Sequence, residues 1–91
     1  MTEATLVVTH PVGLHARPAA LFVQTVRAFK SRVTIQNLSR AGSSEMAVSA
    51  FNLLQIGVKS GHEIRLRAEG EDEAETIEAL RKLVEDNFGE S

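Results

Sequence analysis

From His62 to Glu69 the side chains alternate without a break: Ile64, Leu66 and Ala68 lie on one side, and Glu63, Arg65, Arg67 and Glu69 on the other. A period of two over that length specifies a strand. Charge on one side only specifies a sheet with one dry and one wet face. The dry face needs a cover, and helices packed from a single side provide one.

The remaining stretches fit that demand. Residues 3–9 alternate Ala4, Leu6 and Val8 with more polar positions and are rich in β-branched side chains, which predicts a first strand. His10-Pro11-Val12-Gly13 ends it, because proline lacks a ladder donor and glycine permits a turn. From Ala16 to about Lys30 the period becomes helical, with Ala19, Phe22, Val23, Val26 and Phe29 on one face. A second strand is expected over Ser31–Leu38 with Val33 and Ile35 inward, then a polar connection to Ser43 and a short strand over about Ser44–Val48. Ser49 precedes a short helix, Ala50 to Gln55, ending near Gly57. Asp72 to Phe88 closes the chain as an amphipathic helix with Ala74, Ile77, Leu80, Leu83, Val84 and Phe88 inward. The order β-α-β-β-α-β-α predicts a two-layer α/β (α+β) sandwich, read as one domain over residues 1–91.

Composition narrows the function classes. The chain carries ten basic and twelve acidic side chains, which argues against a nucleic-acid binder in need of a cationic face. No apolar run reaches membrane-spanning length, and residues 1–9 lack the pattern of a secretory signal. With no cysteine, disulfides and thiolate metal sites are excluded, and the cytoplasm is the expected location. Residues 10–40 hold Arg17, Arg27, Lys30, Arg32 and Arg40 and no carboxylate, whereas residues 69–91 are acidic. That split fits either a basic face for an acidic protein partner or two solvated faces of opposite sign.

The chemistry-bearing stretch is Gly13-Leu14-His15-Ala16-Arg17-Pro18-Ala19-Ala20. It sets one histidine between the end of a strand and the start of a helix. The first turn of a helix leaves backbone N–H groups without intrahelical acceptors, and the positive end of the helix dipole points the same way. Arg17 adds a fixed charge with forked donors. A neutral imidazole with these neighbours is suited to attack phosphorus, and the group it gains falls in an anion site. His10 and His62 are given no role, and no carboxylate or cysteine accompanies His10 and His15 to make a zinc site.

These residues resemble HPr, the histidine-containing phosphocarrier family of the bacterial phosphoenolpyruvate-dependent phosphotransferase system. The signature Gly-aliphatic-His-small-Arg-Pro-small-small is complete at residues 13–20, and Gly61-His62-Glu63-Ile64 matches the family's lead-in to the last strand. The resemblance implies an open-faced sandwich whose four antiparallel strands run in the order 1-4-2-3. It implies a monomeric carrier rather than an enzyme. His15 would take a phosphoryl group on Nδ1 from phospho-enzyme I and pass it to an enzyme IIA-type acceptor. The amides of Ala16 and Arg17 and the Arg17 guanidinium would then hold the phosphoryl oxygens. No metal or bound cofactor is implied, although enzyme I needs magnesium.

Two places depart from the family pattern. Ser49 falls where many Gram-positive relatives carry a regulatory serine for an HPr kinase/phosphorylase, but its flanks, Val48 and Ala50-Phe51-Asn52, differ from the usual ones. Serine before a helix is also the commonest N-cap. The resemblance further places partner-docking contacts at Ala20, Phe51 and Leu54. Phe51 is large for such a contact, and burial in the core is expected of Leu54 more than of Phe51. Two rival functions are an acylphosphatase-like hydrolase and a regulatory module without chemistry. The first would show the ferredoxin-like strand order 4-1-3-2 and a phosphate-cradling arginine loop after the first strand. The second is disfavoured by the presence of His15.

Overall fold

The computed structural model describes residues 1–89. Strand β1 (Thr2–Val7) leads to helix α1 (Ala16–Arg27), strands β2 (Arg32–Asn37) and β3 (Met46–Ala47), helix α2 (Ala50–Gln55), strand β4 (Glu63–Glu69) and helix α3 (Glu73–Glu85). The sheet is antiparallel and runs β1-β4-β2-β3. That order is the open-faced sandwich and not the ferredoxin-like arrangement, which removes the acylphosphatase-type reading.

The stretch with the clearest alternation is the one that sits in the middle. β4 pairs with β1 from Thr2↔Ala68 to Val7↔Glu63 and with β2 from Arg32↔Glu69 to Asn37↔Ile64. Ile64, Leu66 and Ala68 are fully buried beneath the helices, together with Phe22 of α1, Leu53 of α2 and Leu80 of α3. On the open face Arg67 bridges Glu3 on one neighbouring strand and Glu45 beside β3, tying the sheet across its width. These are exposed pairs and contribute little each.

Several boundaries differ from the sequence-based expectation. β1 ends at Val7 because its ladder partner turns away at Glu63, although Val8 still donates to the His62 carbonyl at 2.9 Å. α1 stops at Arg27 instead of about Lys30. The Phe29 amide reverts to the Val26 carbonyl, and the Lys30 amide donates to the Asp72 carboxylate at 2.8 Å. β3 is two residues long, since only Met46 and Ala47 pair with β2. α3 ends at Glu85 because Asn87 and Phe88 adopt left-handed backbone angles, φ 51° and 59°. Phe88 is nonetheless buried, as the helical spacing predicts. Ala74 is exposed, against expectation. The inward face of α3 runs through Thr76, Ile77, Leu80 and Val84, and Thr76 tolerates burial because its hydroxyl donates to the Asp72 carbonyl at 2.7 Å.

Asp72 ties the end of α1 to the start of α3, accepting from the Ser31 hydroxyl and the Lys30 amide. The Ser31 hydroxyl first, and then the Lys30 amide, hold its carboxyl below the ordinary carboxylate range. A depressed folded-state pKa stabilises the fold above the unfolded value near 4 and loses that contribution as pH falls through the folded value. Asp72→Asn is therefore expected to melt below the parent at pH 7. The gap between the two melting temperatures is expected to close in titrations taken below about pH 4.

Candidate functional site

The loop between β1 and α1 is built by its own backbone. The Gly13 amide donates to the His10 carbonyl at 2.9 Å, closing a turn over His10-Pro11-Val12-Gly13. Inside that turn the Val12 amide donates to His10 Nδ1 at 3.1 Å. Gly13 takes φ +76°, and a Cβ there would lie 2.4 Å from the Val58 carbonyl oxygen and 2.7 Å from Lys59 Cα. The missing side chain thus lets the loop lie directly on the backbone of residues 58–59. The Leu14 amide then donates to the same Val58 carbonyl at 3.0 Å, and the Leu14 side chain is buried.

His15 follows as the N-cap of α1. Its backbone is extended (φ −95°, ψ −171°), its amide donates to the Gly13 carbonyl at 3.2 Å, and its carbonyl accepts from Ala19 at 2.9 Å. Its side chain makes no capping hydrogen bond, so the half-buried imidazole is not committed to the helix. Pro18 has no N–H, which leaves Ala16 and Arg17 to supply the first-turn donors at this helix end. No acidic residue stands in that turn, so no carboxylate of the helix offsets its positive end. The arrangement holds a nucleophilic ring nitrogen beside a surface suited to an anion.

The chain has relatives with this architecture. A family model described as the PTS HPr component phosphorylation site matches residues 2–86. The chain belongs to the HPr family. It is 40% identical over 90 residues to the phosphocarrier protein HPr of Xylella fastidiosa, an alignment covering 99% of this chain and 98% of that one. It is also 40% identical over 87 residues to the multiphosphoryl transfer protein of Haemophilus influenzae, covering 96% of this chain but only 17% of that relative. Among solved structures, HPr-C-His from Thermoanaerobacter tengcongensis superposes with a TM-score of 0.89 at 40% identity, covering 100% of this chain and 99% of the other. HPr from Bacillus anthracis gives 0.82 at 30% identity, covering 91% and 95%. The chain accordingly shares the open-faced sandwich of its HPr structural neighbours.

Around the HPr signature the structure distributes the other sequence-predicted residues as follows. Ala16, Arg17 and Ala20 are exposed on the first turns of α1. Ser49 caps α2, its hydroxyl accepting from the Asn52 amide at 3.1 Å. Phe51 is 72% exposed. Leu54 is 49% exposed and so stands with Phe51 at the surface, although burial was expected of it more than of Phe51. On so short a helix the inward positions fall to Leu53 and, just past its end, Ile56, so Leu54 shares the outer side with Phe51 three residues away. Helices α1 and α2 pack against each other. Among the described residues no group of three or more metal-ligating side chains is gathered, and no helix is long and apolar enough to cross a membrane.

His10 and His62, given no role from the sequence, are both built into the surroundings. His62 Nδ1 lies 3.1 Å from the Lys59 amide and from Asn37 Nδ2, beside the fully buried Asn37. His10 is only 5% exposed, with its ring centroid 5.3 Å from that of His15 and 6.2 Å from that of Phe88. The sequence shows the turn that begins at His10, but not that His10 folds back beside His15.

Proposed function

We propose that His15 accepts a phosphoryl group from phospho-enzyme I, originating from phosphoenolpyruvate, and delivers it to enzyme IIA-type acceptors. Residues 1–91 are taken as one carrier domain. The observation that carries this reading is the half-buried imidazole of His15, uncommitted to capping, at a helix start that has no acidic residue. The Nδ1 lone pair attacks phosphorus. As the P–Nδ1 bond forms, the P–N bond to the donor imidazole breaks, and the donor ring keeps the electron pair. Delivery runs the same exchange on the acceptor. Nδ1 is the ring nitrogen nearer the backbone, so its phosphoryl oxygens come to lie near the Ala16 and Arg17 amides.

A carrier must hold the group without trapping it. A few donors at an exposed helix end serve this better than a closed pocket, where each charge-assisted bond is stronger. Arg17 supplies the fixed positive charge, and Phe51, Leu54 and Ala20 supply an apolar surface for the partner. Intact mass after incubation with enzyme I, magnesium and phosphoenolpyruvate tests the reading. Gain of one phosphoryl group supports it, and no gain with a competent enzyme I moves the assignment to a regulatory module. In the same assay Arg17→Ala is expected to slow acceptance by about 100-fold, the usual loss for one electrostatic donor. Arg17→Lys should recover only part of that rate, since an ammonium keeps the charge but not the fork.

A further inference from the structure

Beside the proposed acceptor lies a second imidazole that the transfer chemistry leaves unused. His10 is buried, and three of its contacts define its place. Its Nδ1 accepts from the Val12 amide at 3.1 Å, its carbonyl accepts from Gly13 at 2.9 Å, and the edge of Phe88 lies against its ring. A neutral imidazole that accepts at Nδ1 carries its proton on Nε2, so the ring has one tautomer as well as one orientation. Phe88 is itself held from behind. It sits buried on a left-handed turn whose other member, Asn87, accepts from the Thr9 hydroxyl at 2.7 Å. The result is a series of three rings from the interior outward: Phe88, His10 and then His15, with the last two tilted by 55°.

The His15 side chain makes no capping bond that would fix its rotamer. Packing must therefore orient it, and His10 is the ring on which it packs. We infer that His10 is a positioning residue for phosphoryl transfer: its locked imidazole limits the rotation of the His15 ring and so holds Nδ1 toward the first turn of α1. The inference rests on the reading of His15 as the acceptor. It assigns His10 no bond to phosphorus.

Two variants separate the ring from the hydrogen bond. His10→Asn places an amide oxygen where Nδ1 stood and keeps an acceptor for Val12, but removes the ring. His10→Phe keeps a ring between Phe88 and His15, but removes the acceptor. The measurements are the rate of phosphoryl gain from phospho-enzyme I and from phosphoramidate, a small donor that needs no docking surface. They are joined by the imidazole 15N shifts of His15 and the backbone amide spectrum as a check of the fold. His10→Asn is expected to keep the amide spectrum outside the loop, to move the His15 shifts, and to slow acceptance from both donors by about tenfold, the order of loss for a misaligned reacting group. His10→Phe is expected to stay within about threefold of the parent, well inside that alignment effect. Unchanged rate and unchanged His15 shifts in His10→Asn would overturn the inference. So would an equal loss in a folded His10→Phe, which would assign the effect to the Val12 bond. If the parent chain itself gains no phosphoryl group, it is the acceptor reading that has failed.

Discussion

His15→Ala is expected to gain no acid-labile phosphoryl group under conditions in which the parent chain gains one. It should do so while melting within a few degrees of the parent, the range of a surface change. Both halves of that expectation come from the site. The imidazole is half-buried and makes no capping bond, so truncation opens no core cavity and strips no helix donor of a partner. What it removes is the nucleophilic nitrogen. The neighbouring imidazole is poorly placed to replace it: His10 is 5% exposed and its Nδ1 accepts from the Val12 amide. Acid lability of the added mass separates a phosphohistidine from a phosphoserine at Ser49. Persistent acid-labile gain in His15→Ala would move the acceptor to another histidine.

Gly13→Ala is expected to produce the largest loss of stability of any single methyl addition in the loop. At φ +76° an L-residue costs about 1–2 kcal/mol from its own sterics. Here the added carbon also meets two backbone atoms, the Val58 carbonyl oxygen at 2.4 Å and Lys59 Cα at 2.7 Å. Neither is the end of a flexible side chain, so the loop must lift from residues 58–59 and weaken the bond from the Leu14 amide to Val58. A total of about 3 kcal/mol follows, which in a domain this small lowers the melting temperature by roughly 15 °C. Gly42→Ala is the control. Its φ of +78° is similar, but a Cβ there meets nothing within 4 Å, so only the conformational cost of about 1–2 kcal/mol applies. Thermal melts of both variants check the pair. Equal losses would show that the close approach at Gly13 contributes nothing. Gly13→Ala should also slow phosphoryl acceptance, because lifting the loop moves His15 relative to α1.

Much of this architecture was legible because the chain states it locally. The alternation through Ile64, Leu66 and Ala68 gives β4 and its wet face directly, and the spacing of Ala19, Phe22 and Val23 gives the buried side of α1. Leu54 shows where such reading fails. In a helix of six residues, Leu53 and Leu54 are adjacent apolar positions, and only the packing of α2 decides which one is buried. Ala74, expected inward, is exposed while Thr76 is buried, for a similar reason. The hydroxyl of Thr76 finds an acceptor at the N-cap of its own helix, a partner that hydropathy does not register. The proposed acceptor histidine was visible through a contiguous signature at residues 13–20. Its neighbour His10 was not, because their approach depends on a turn with a ring nitrogen bonded inside it and on an aromatic side chain from far along the chain.

The central place of β4 has a consequence for how the chain folds as it is made. β1 is made before the other three strands, yet among the described residues its one ladder partner is β4, with Thr2 opposite Ala68. β2 likewise has just the two-residue β3 to pair with until the same strand arrives. Until residue 69 has been synthesised, the nascent chain has helices and one short hairpin but no sheet to cover. Closing a loop of that length costs entropy before any ladder bond compensates it, so the sheet should form late and in one cooperative step. In the meantime Leu6, Val8, Val33 and Ile35 are apolar strand residues without a partner surface. The burden of keeping the growing chain soluble then falls on its charged side chains and on the brevity of each exposed strand.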